Sequence, residues 1–306
     1  MTALVDPFNR QITYLRLSVT DRCNLRCTYC MAEEMEFLPK SAVLSLEEMH
    51  RLAECFVELG ISKIRLTGGE PLVRKGITEL SSSISALDGL NELTMTTNAV
   101  LLDKFAAPLA EGGIKRLNIS IDSLKPERFK SMTRVGELDD VLRGIEAARS
   151  QNFQAIKLNA VILAGQNDDE VIDLAKFAVE RGLDISYIEE MPLGHISSHD
   201  RADTQHQSLS IREQLQQEFE ITPSAETTGG PSRYYRVADS NTKIGFISPM
   251  SDNFCSSCNR IRLTTEGRLL LCLGNEHSVD LRAPLRDGAS NREVKDIIEK
   301  AITIKP

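Results

Sequence analysis

The chain has 306 residues, of which 41% are hydrophobic and 26% are charged. This is the composition of a folded globular protein, and it excludes a mainly disordered chain. The 36 basic and 44 acidic residues give a formal net charge of −8, which argues against a general surface for nucleic acid or for an anionic membrane. We therefore expect no nucleic-acid and no membrane partner, and any phosphate site has to be a local cluster of Lys and Arg.

The first residues contain no apolar run typical of a secretory signal, and no run approaches the ~18 apolar residues that a membrane span requires. We therefore predict a cytoplasmic protein whose seven cysteines stay reduced. In a reducing compartment, closely spaced cysteines indicate metal ligands before disulfides.

Six runs rich in β-branched residues recur at roughly 30-residue intervals, the spacing of strand–helix units. They are Tyr14–Thr20, Lys63–Thr67, Glu92–Thr97, Arg116–Asp122, Ala155–Leu163 and Ile185–Met191. Helical periodicity follows near Leu46–Leu59, Gly76–Leu87, Leu102–Ala110, Leu138–Ser150, Asp169–Glu180 and Ile211–Phe219. This order predicts an α/β fold, an incomplete (β/α)6 TIM-type barrel with its helices outside the sheet.

The pattern changes after about Glu220. Strand-like runs at Arg233–Val237, Lys243–Ile247 and Arg260–Leu271 precede a last helical stretch from about Asn291 to Ala301. We predict a barrel over residues 1–220 and a smaller C-terminal α+β domain over 221–306. The polar, aperiodic segment His195–His206 reads as a surface loop.

Three cysteines follow the first predicted strand in the pattern Cys23-x3-Cys27-x2-Cys30. Three thiolates this close together can hold one compact inorganic centre. A [4Fe–4S] cluster bound by three cysteines keeps one iron open to an exogenous ligand. A structural zinc site normally has four protein ligands, so a zinc loop completed by a distant residue is the alternative.

A second group has the pattern Cys255-x2-Cys258-x13-Cys272. Taken alone it suits zinc equally well, with His277 as a fourth ligand. A second incomplete triplet in one chain favours two open clusters, the second of them carried by the C-terminal domain. Cys55 belongs to neither group and is expected to pack as a small apolar side chain.

The first cysteine pattern, with Tyr29 before its last member, resembles the signature of the radical S-adenosylmethionine (SAM) superfamily. Gly68-Gly69-Glu70-Pro71, at the end of the second strand, resembles the SAM-binding turn of that superfamily. The segments LNISIDSL, YIEEMPLG and CSSCNRIRLTTEG extend the match along nearly the whole chain. Together these segments resemble the GTP 3′,8-cyclase family (molybdenum cofactor biosynthesis protein A).

The resemblance implies a lyase that converts GTP to 3′,8-cyclo-7,8-dihydro-GTP, the first step of molybdopterin biosynthesis. It implies SAM and two [4Fe–4S] clusters as cofactors. The cluster on the first three cysteines would bind SAM and cleave it to a 5′-deoxyadenosyl radical, which abstracts the 3′ hydrogen of GTP. The second cluster would hold the guanine.

The resemblance also implies the residues of each site. The cluster ligands would be Cys23, Cys27, Cys30, Cys255, Cys258 and Cys272. SAM would contact Tyr29, Gly69, Glu70, Ser120 and Met191. GTP would contact Arg16, Arg65, Thr96, Lys157, Arg260, Ile261 and Arg262. Catalysis would depend on the first three cysteines with Arg260 and Arg262. We expect the cations near strand ends, beside the cysteine loops.

The family further implies a reductant such as flavodoxin, a homodimer, and cyclic pyranopterin monophosphate synthase as the enzyme that takes over the product. Family members usually end in Gly-Gly, whereas this sequence ends at Lys305-Pro306. We therefore expect the 306-residue form to cleave SAM but to cyclise GTP poorly. Two alternatives are a radical SAM enzyme with an auxiliary cluster acting on another substrate such as a peptide, and a non-catalytic metal-binding or electron-transfer module.

Overall fold

The computed structural model describes residues 3–191, 204, 206–274 and 277–306. The strands are β1 (Tyr14–Ser18), β2 (Lys63–Thr67), β3 (Glu92–Thr97), β4 (Arg116–Ser120), β5 (Ala155–Ile162), β6 (Asp184–Glu189), β7 (Ile221–Pro223), β8 (Arg233–Val237), β9 (Lys243–Ile247), β10 (Arg260–Leu263), β11 (Arg268–Leu270) and β12 (Ser278–Asp280). The helices are α1 (Leu46–Glu58), α2 (Ile77–Ser85), α3 (Leu102–Glu111), α4 (Pro126–Thr133), α5 (Leu138–Arg149), α6 (Val171–Arg181), α7 (Ser208–Leu215), α8 (Arg282–Arg286) and α9 (Asn291–Ile302).

The described strands form one sheet in the order β12-β11-β10-β1-β2-β3-β4-β5-β6-β9-β8-β7. The strands from β10 through β1–β6 to β9 are parallel, and antiparallel hairpin strands extend both sides. Within the described residues β12 and β7 are the two edges of the sheet. The barrel is therefore open, which confirms the predicted incomplete (β/α) barrel.

All six predicted barrel strands are present, several of them ending one or two residues earlier than predicted. The prediction of a single run over Arg260–Leu271 is wrong. The chain turns back after β10, where Gly267 adopts a φ of +83°, and returns as β11. The sequence reasoning also missed α4, whose composition is strongly polar, and α7 begins at Ser208 rather than Ile211.

The strands alternate between two environments. In β1, Leu15 and Leu17 are buried against the helices, whereas Tyr14, Arg16 and Ser18 point to the opposite, inner face of the sheet. The other barrel strands follow the same alternation, with most of their aliphatic residues in the core between sheet and helices. The inner face of the open barrel is consequently mostly polar.

The C-terminal helix is anchored on the first helix. Ser290 and Glu293 form a capping box that fixes the start of α9, and its apolar face is buried. Arg51 of α1 donates to Asn291 Oδ1 at 2.7 Å, and Lys295 pairs with Glu58 at 2.6 Å. These contacts attach the last part of the chain to the barrel.

The division into residues 1–220 and 221–306 stays a prediction, because one continuous sheet contains strands from both parts. No helix in the described part of the chain is both long enough and apolar enough to cross a bilayer.

A tight contact between α5 and the loop before α3 gives a test of the barrel packing. A Cβ placed on Gly144 would lie 2.2 Å from the carbonyl oxygen of Ala99. We expect Gly144→Ala to destabilise the fold by about 1–3 kcal/mol, because this overpacking outweighs the gain in helix propensity of about 1 kcal/mol. Anaerobic thermal unfolding would measure this loss of stability. The control is Gly230→Ala, whose added Cβ would meet only Thr228 Oγ1 at 3.6 Å. Equal unfolding midpoints for the two variants would contradict this packing.

Candidate active site

The two cysteine groups lie at opposite ends of the barrel strands. The first triplet is Cys23, Cys27 and Cys30, and the second triplet is Cys255, Cys258 and Cys272. The first triplet follows the C-terminal end of β1, whereas two members of the second triplet precede the N-terminal end of β10, which runs parallel to β1. The third member follows the antiparallel strand β11 and so returns to that same end. A five-residue strand spans about 16 Å, so the polar inner face separates the triplets.

The end of α4 supports the loop that carries the first triplet. Thr28 N donates to the carbonyl of Met132 at 2.9 Å, and Arg26 N donates to that of Thr133 at 3.0 Å. Arg134 Nη1 then donates to the carbonyl of Arg26 at 2.8 Å. These bonds fix the backbone between the cysteines from outside the barrel.

The first triplet has the chemistry of a cluster site. Burial raises the pKa of all three thiols, so their metal-binding thiolate form requires a compensating positive charge. Cys23 Sγ also accepts from Leu25 N at 3.3 Å and from Asn98 Nδ2 at 3.8 Å. Among the described residues, no three His, Cys, Asp or Glu side chains converge closely enough for a single metal ion. Three cysteines on one loop can ligate a [4Fe–4S] cluster that keeps one iron open, so the donor chemistry of these thiols fits such a cluster.

The glycines of the second loop allow close contact with this cysteine loop. A Cβ on Gly69 would lie 2.3 Å from the carbonyl oxygen of Arg22, so only glycine fits there. Gly69 N donates to the carbonyl of Thr20, and Glu70 N donates to that of Arg22, each at 2.8 Å. The Gly-Gly turn is thereby joined to the backbone that leads into the first triplet.

Glu70 connects this turn to the loop after β3. Its buried carboxylate accepts from Leu72 N at 3.0 Å, from Thr97 Oγ1 at 2.7 Å and from Asn98 N at 2.7 Å. Burial raises the pKa of Glu70 to about 7, although these three donors oppose the shift. A carboxylate has about four acceptor positions, so these three donors occupy most of them.

Tyr29 is held by a buried carboxylate that the sequence reasoning missed. Its hydroxyl donates to Asp122 Oδ2 at 2.6 Å, and Asp122 Oδ1 accepts from Val161 N at 2.8 Å. Burial raises the pKa of Asp122 to about 6. Of the other predicted SAM contacts, Ser120 ends β4 and Met191 follows β6, and both are half-buried.

Three of the predicted arginines stand side by side on the inner face. Arg16 of β1 pairs with Arg262 of β10 on one side and with Arg65 of β2 on the other. Arg65 Nη1 donates to Thr96 Oγ1 at 3.2 Å, which brings a fourth predicted residue into the group. The expectation that the cations lie at strand ends is wrong for Arg16, the central residue of β1, and for Lys157, inside β5, whereas Arg260 does begin β10. A mid-strand side chain reaches the barrel interior directly, without a loop.

The electrostatics of this row favour an anionic ligand. Burial, followed by the charge of Arg262, lowers the pKa of Arg16 to about 9, and burial with the neighbouring Arg260 lowers that of Arg262. Burial likewise lowers the pKa of Lys157, which is 8% exposed. The buried Nε atoms of Arg16 and Arg65 have no hydrogen-bond partner among the described residues. Buried donors of this kind need an acceptor, which a phosphate group supplies.

Ile261 differs from its neighbours on β10. Its side chain is buried in the core between sheet and helices, on the face opposite Arg260 and Arg262. Any contact between this residue and a substrate inside the barrel is therefore left to its backbone.

The second triplet lies in electropositive surroundings. Arg10 Nη1 donates to the carbonyl of Cys255 at 2.6 Å. Burial raises the pKa of Cys258, but hydrogen bonds and charge from Arg260 outweigh it, so the net shift is downward. His277 is exposed immediately before β12. His195 and His199, which the sequence places in a surface loop, lie outside the described residues.

The profile of the Radical SAM superfamily matches residues 17–178, and that of Molybdenum Cofactor Synthesis C matches residues 183–306. The GTP 3′,8-cyclase of Pseudomonas entomophila (strain L48) is 57% identical over 307 residues, covering 99% of this chain and 92% of that protein. The enzyme of the same name from Pseudomonas fluorescens (strain Pf0-1) is 57% identical, with the same coverage of both chains. The chain belongs to the GTP 3′,8-cyclase family.

Solved structures agree with this membership at the level of the fold. Streptococcus suis SuiB bound to S-adenosylmethionine superposes with a TM-score of 0.66 at 16% identity, over 89% of this chain and 64% of SuiB. Methylornithine synthase (PylB) gives a TM-score of 0.51 at 15% identity, over 68% of this chain and 62% of that one. As a radical SAM enzyme, this member of the cyclase family uses SAM and a [4Fe–4S] cluster.

The sequence did not predict three residues that lie on the inner face, namely Tyr14, Lys63 and Tyr234. Tyr14 lies two residues before Arg16, with Arg65 5.8 Å and Lys63 5.2 Å from its ring centroid. Lys63 pairs with Glu92. Tyr234 of β8 contacts Lys157, one of the residues predicted to bind GTP. The alternation of residues along the strands indicates that Tyr14 and Lys63 lie on the inner face, whereas nothing in the local sequence predicts the position of Tyr234.

Asn98 provides a test of the first triplet as a cluster site. A hydrogen bond to a cluster ligand stabilises the reduced, more negative state, so we expect Asn98→Leu to lower the reduction potential of the cluster by about 20–40 mV. Redox titration followed by electron paramagnetic resonance would measure the shift. Asn91→Leu, at an exposed position, serves as the control. An unchanged potential in Asn98→Leu would show that this amide does not act on Cys23.

Proposed function

We propose that the chain converts GTP to 3′,8-cyclo-7,8-dihydro-GTP in molybdenum cofactor biosynthesis. The observation that carries this proposal is the row of arginines between the two triplets. Arg262, Arg16 and Arg65 are in register on adjacent strands, and two of them have buried donors without a partner in the described part of the chain. A triphosphate offers the charge and the acceptor oxygens that this row needs.

The cations orient the substrate. Guanidinium groups bind phosphate oxygens in pairs, so a row of them fixes the direction of the triphosphate as well as its position. Arg260 adds charge two residues before Arg262 on β10, and Lys157 adds charge from β5. With the phosphates of GTP held at the middle of the strands, the nucleoside lies inside the barrel, between the two cysteine triplets at the strand ends. This fixed orientation reduces the entropy cost of the reaction.

The first triplet would hold a [4Fe–4S] cluster, and Tyr29, Gly69, Glu70, Ser120 and Met191 would hold SAM beside it. When bound, this pair supplies a 5′-deoxyadenosyl radical that removes the 3′ hydrogen of GTP. The chain fixes the geometry: Asp122 orients Tyr29, and Glu70 joins three loops at this end of the barrel. Loops connected in this way restrict the movement of bound SAM.

The second triplet would hold a further [4Fe–4S] cluster that contacts the guanine. The positive charges of Arg260 and Lys305 near Cys258 support this assignment, because they stabilise thiolate ligands. Residues 221–306 would then act as an auxiliary-cluster domain that completes the substrate site of the barrel.

The proposal extends to partners and location. The cluster at the first triplet needs an external electron, for which a reductant such as flavodoxin is suitable. We also propose a homodimer, a cytoplasmic location that keeps the thiols reduced, and product transfer to cyclic pyranopterin monophosphate synthase.

The decisive test follows the hydrogen that is removed. We expect anaerobically reconstituted enzyme with dithionite, SAM and GTP deuterated at C3′ to form 5′-deoxyadenosine that contains deuterium, detected by mass spectrometry. Arg262→Ala should lose most of this transfer, because it removes one member of the phosphate-binding row. Arg268→Ala, at an exposed arginine of the adjacent hairpin, should retain it. Unlabelled 5′-deoxyadenosine from the wild-type enzyme would indicate another substrate, such as a peptide.

Metal analysis tests the second cluster. We expect about eight irons and eight acid-labile sulfides per wild-type chain, and about half of each in Cys258→Ser. Cys55→Ser should keep the full content, since Cys55 lies in α1 and belongs to neither triplet. A content of one zinc and about four irons in the wild-type protein would mean that the second triplet binds zinc instead of a second cluster.

A further inference from the structure

Tyr234 crosses from the C-terminal part of the chain into the barrel and contacts Lys157. Lys157 Nζ donates to the Tyr234 hydroxyl at 3.1 Å, and the ammonium lies 5.4 Å from the centroid of the ring. The two residues come from β8 and β5, which are not neighbours in the sheet. The contact therefore spans the concave inner face.

The fold makes specific room for this phenol. Tyr234 is 3% exposed and lies beside Gly245, where an added Cβ would be 3.0 Å from its ring and 2.1 Å from Ser232 Oγ. Ser186 Oγ and Ser232 Oγ are hydrogen-bonded at 3.0 Å next to this glycine. The small residues around the ring allow Tyr234 to lie against the inner face instead of turning towards solvent.

The phenol is also held at its hydroxyl end. Thr228 Oγ1 lies 3.2 Å from the Tyr234 hydroxyl, within hydrogen-bond distance. The carbonyl of Thr228 in turn accepts from Lys63 Nζ at 2.8 Å. The loop before β8 is thus attached to β2, so the position of the hydroxyl is fixed on both sides.

Lys157 needs such a partner. Burial and the charge of Arg65 lower its pKa, whereas Tyr234 acts in the opposite direction. An ammonium group has three donors on a flexible stem, so its direction is not set by its own side chain. An acceptor on one side of the nitrogen directs the remaining donors elsewhere, here into the polar interior.

We propose that Tyr234 is a positioning residue that orients the Lys157 ammonium towards the phosphates of the substrate. The inference rests on the proposed function, because it takes the inner face as the triphosphate site. It gives the C-terminal part of the chain a direct role in nucleotide binding, separate from that of the second triplet. The role depends on the hydroxyl and not on the ring.

The test is a binding cycle on the reconstituted holoenzyme. Calorimetry would measure the Kd for GTP in the wild type, Tyr234→Phe, Lys157→Met and the double variant. We expect Tyr234→Phe to weaken GTP binding about tenfold, or about 1.4 kcal/mol, and to add less than twofold when Lys157 is already replaced. Guanosine, which lacks phosphates, should bind the wild type and Tyr234→Phe equally.

Tyr235→Phe is the matched control. The neighbouring Tyr235 accepts from Arg212 at 2.9 Å and packs edge-on against Phe246, away from Lys157. It should leave the Kd for GTP unchanged, and circular dichroism and iron content should be the same in all variants. These readouts separate a positional effect from a general loss of structure.

Two results would overturn the proposal. Equal GTP affinity in Tyr234→Phe and wild type would remove any role for the hydroxyl. A tenfold loss that persists in the Lys157→Met background would mean that Tyr234 acts independently of Lys157. Failure of the wild-type protein itself to bind GTP would instead refute the proposed function, so the two failures are distinguishable.

Discussion

Repulsion between arginines held side by side is the constraint on which the site depends. Adjacent strands lie about 4.8 Å apart, and a guanidinium group stays charged at neutral pH. Neighbours in the row Arg262–Arg16–Arg65 therefore repel each other by about 1–3 kcal/mol per pair. The folded chain holds these charges together before any ligand arrives. In the proposed binding mode a triphosphate relieves this repulsion, so part of the favourable free energy of binding would come from the arrangement of these side chains.

The fold can hold this row of arginines because the two faces of the sheet have different environments. The aliphatic residues of each strand pack against the helices and stabilise the sheet, which leaves the inner face free for polar groups. Arg262 reaches Arg16 only through the pairing of β10 with β1, which joins distant parts of the chain. The same pairing places the second triplet at the far end of the strands. The proposed phosphate site and the second triplet consequently form together, when the C-terminal strands join the barrel.

The sequence predicts what depends on local spacing. Cysteine spacing identifies both triplets, and the recurrence of strands and helices identifies the open barrel. Strand register is not local, so nothing near Arg16 indicates that Arg65 and Arg262 stand beside it. The alternation in YLRLS and KIRLT was the available signal, because buried parallel strands are usually apolar throughout. The contact of Tyr234 with Lys157 depends on the curvature of the sheet and has no counterpart in sequence spacing.

The two triplets differ in the charge that surrounds them, and this difference fits the separate roles proposed for them. Carboxylates lie near the first triplet, where Glu70 opposes ionisation of Cys23 and Asp122 opposes that of Cys27. Near the second triplet, Arg260 promotes ionisation of Cys258. Because cluster potentials follow local charge, a cluster held by the first triplet would have the lower reduction potential and would be the stronger reductant of the two. A low potential at that end would suit one-electron cleavage of SAM, whereas Arg260 adds positive charge beside Arg262 in the row of arginines, where the phosphates of GTP are proposed to bind.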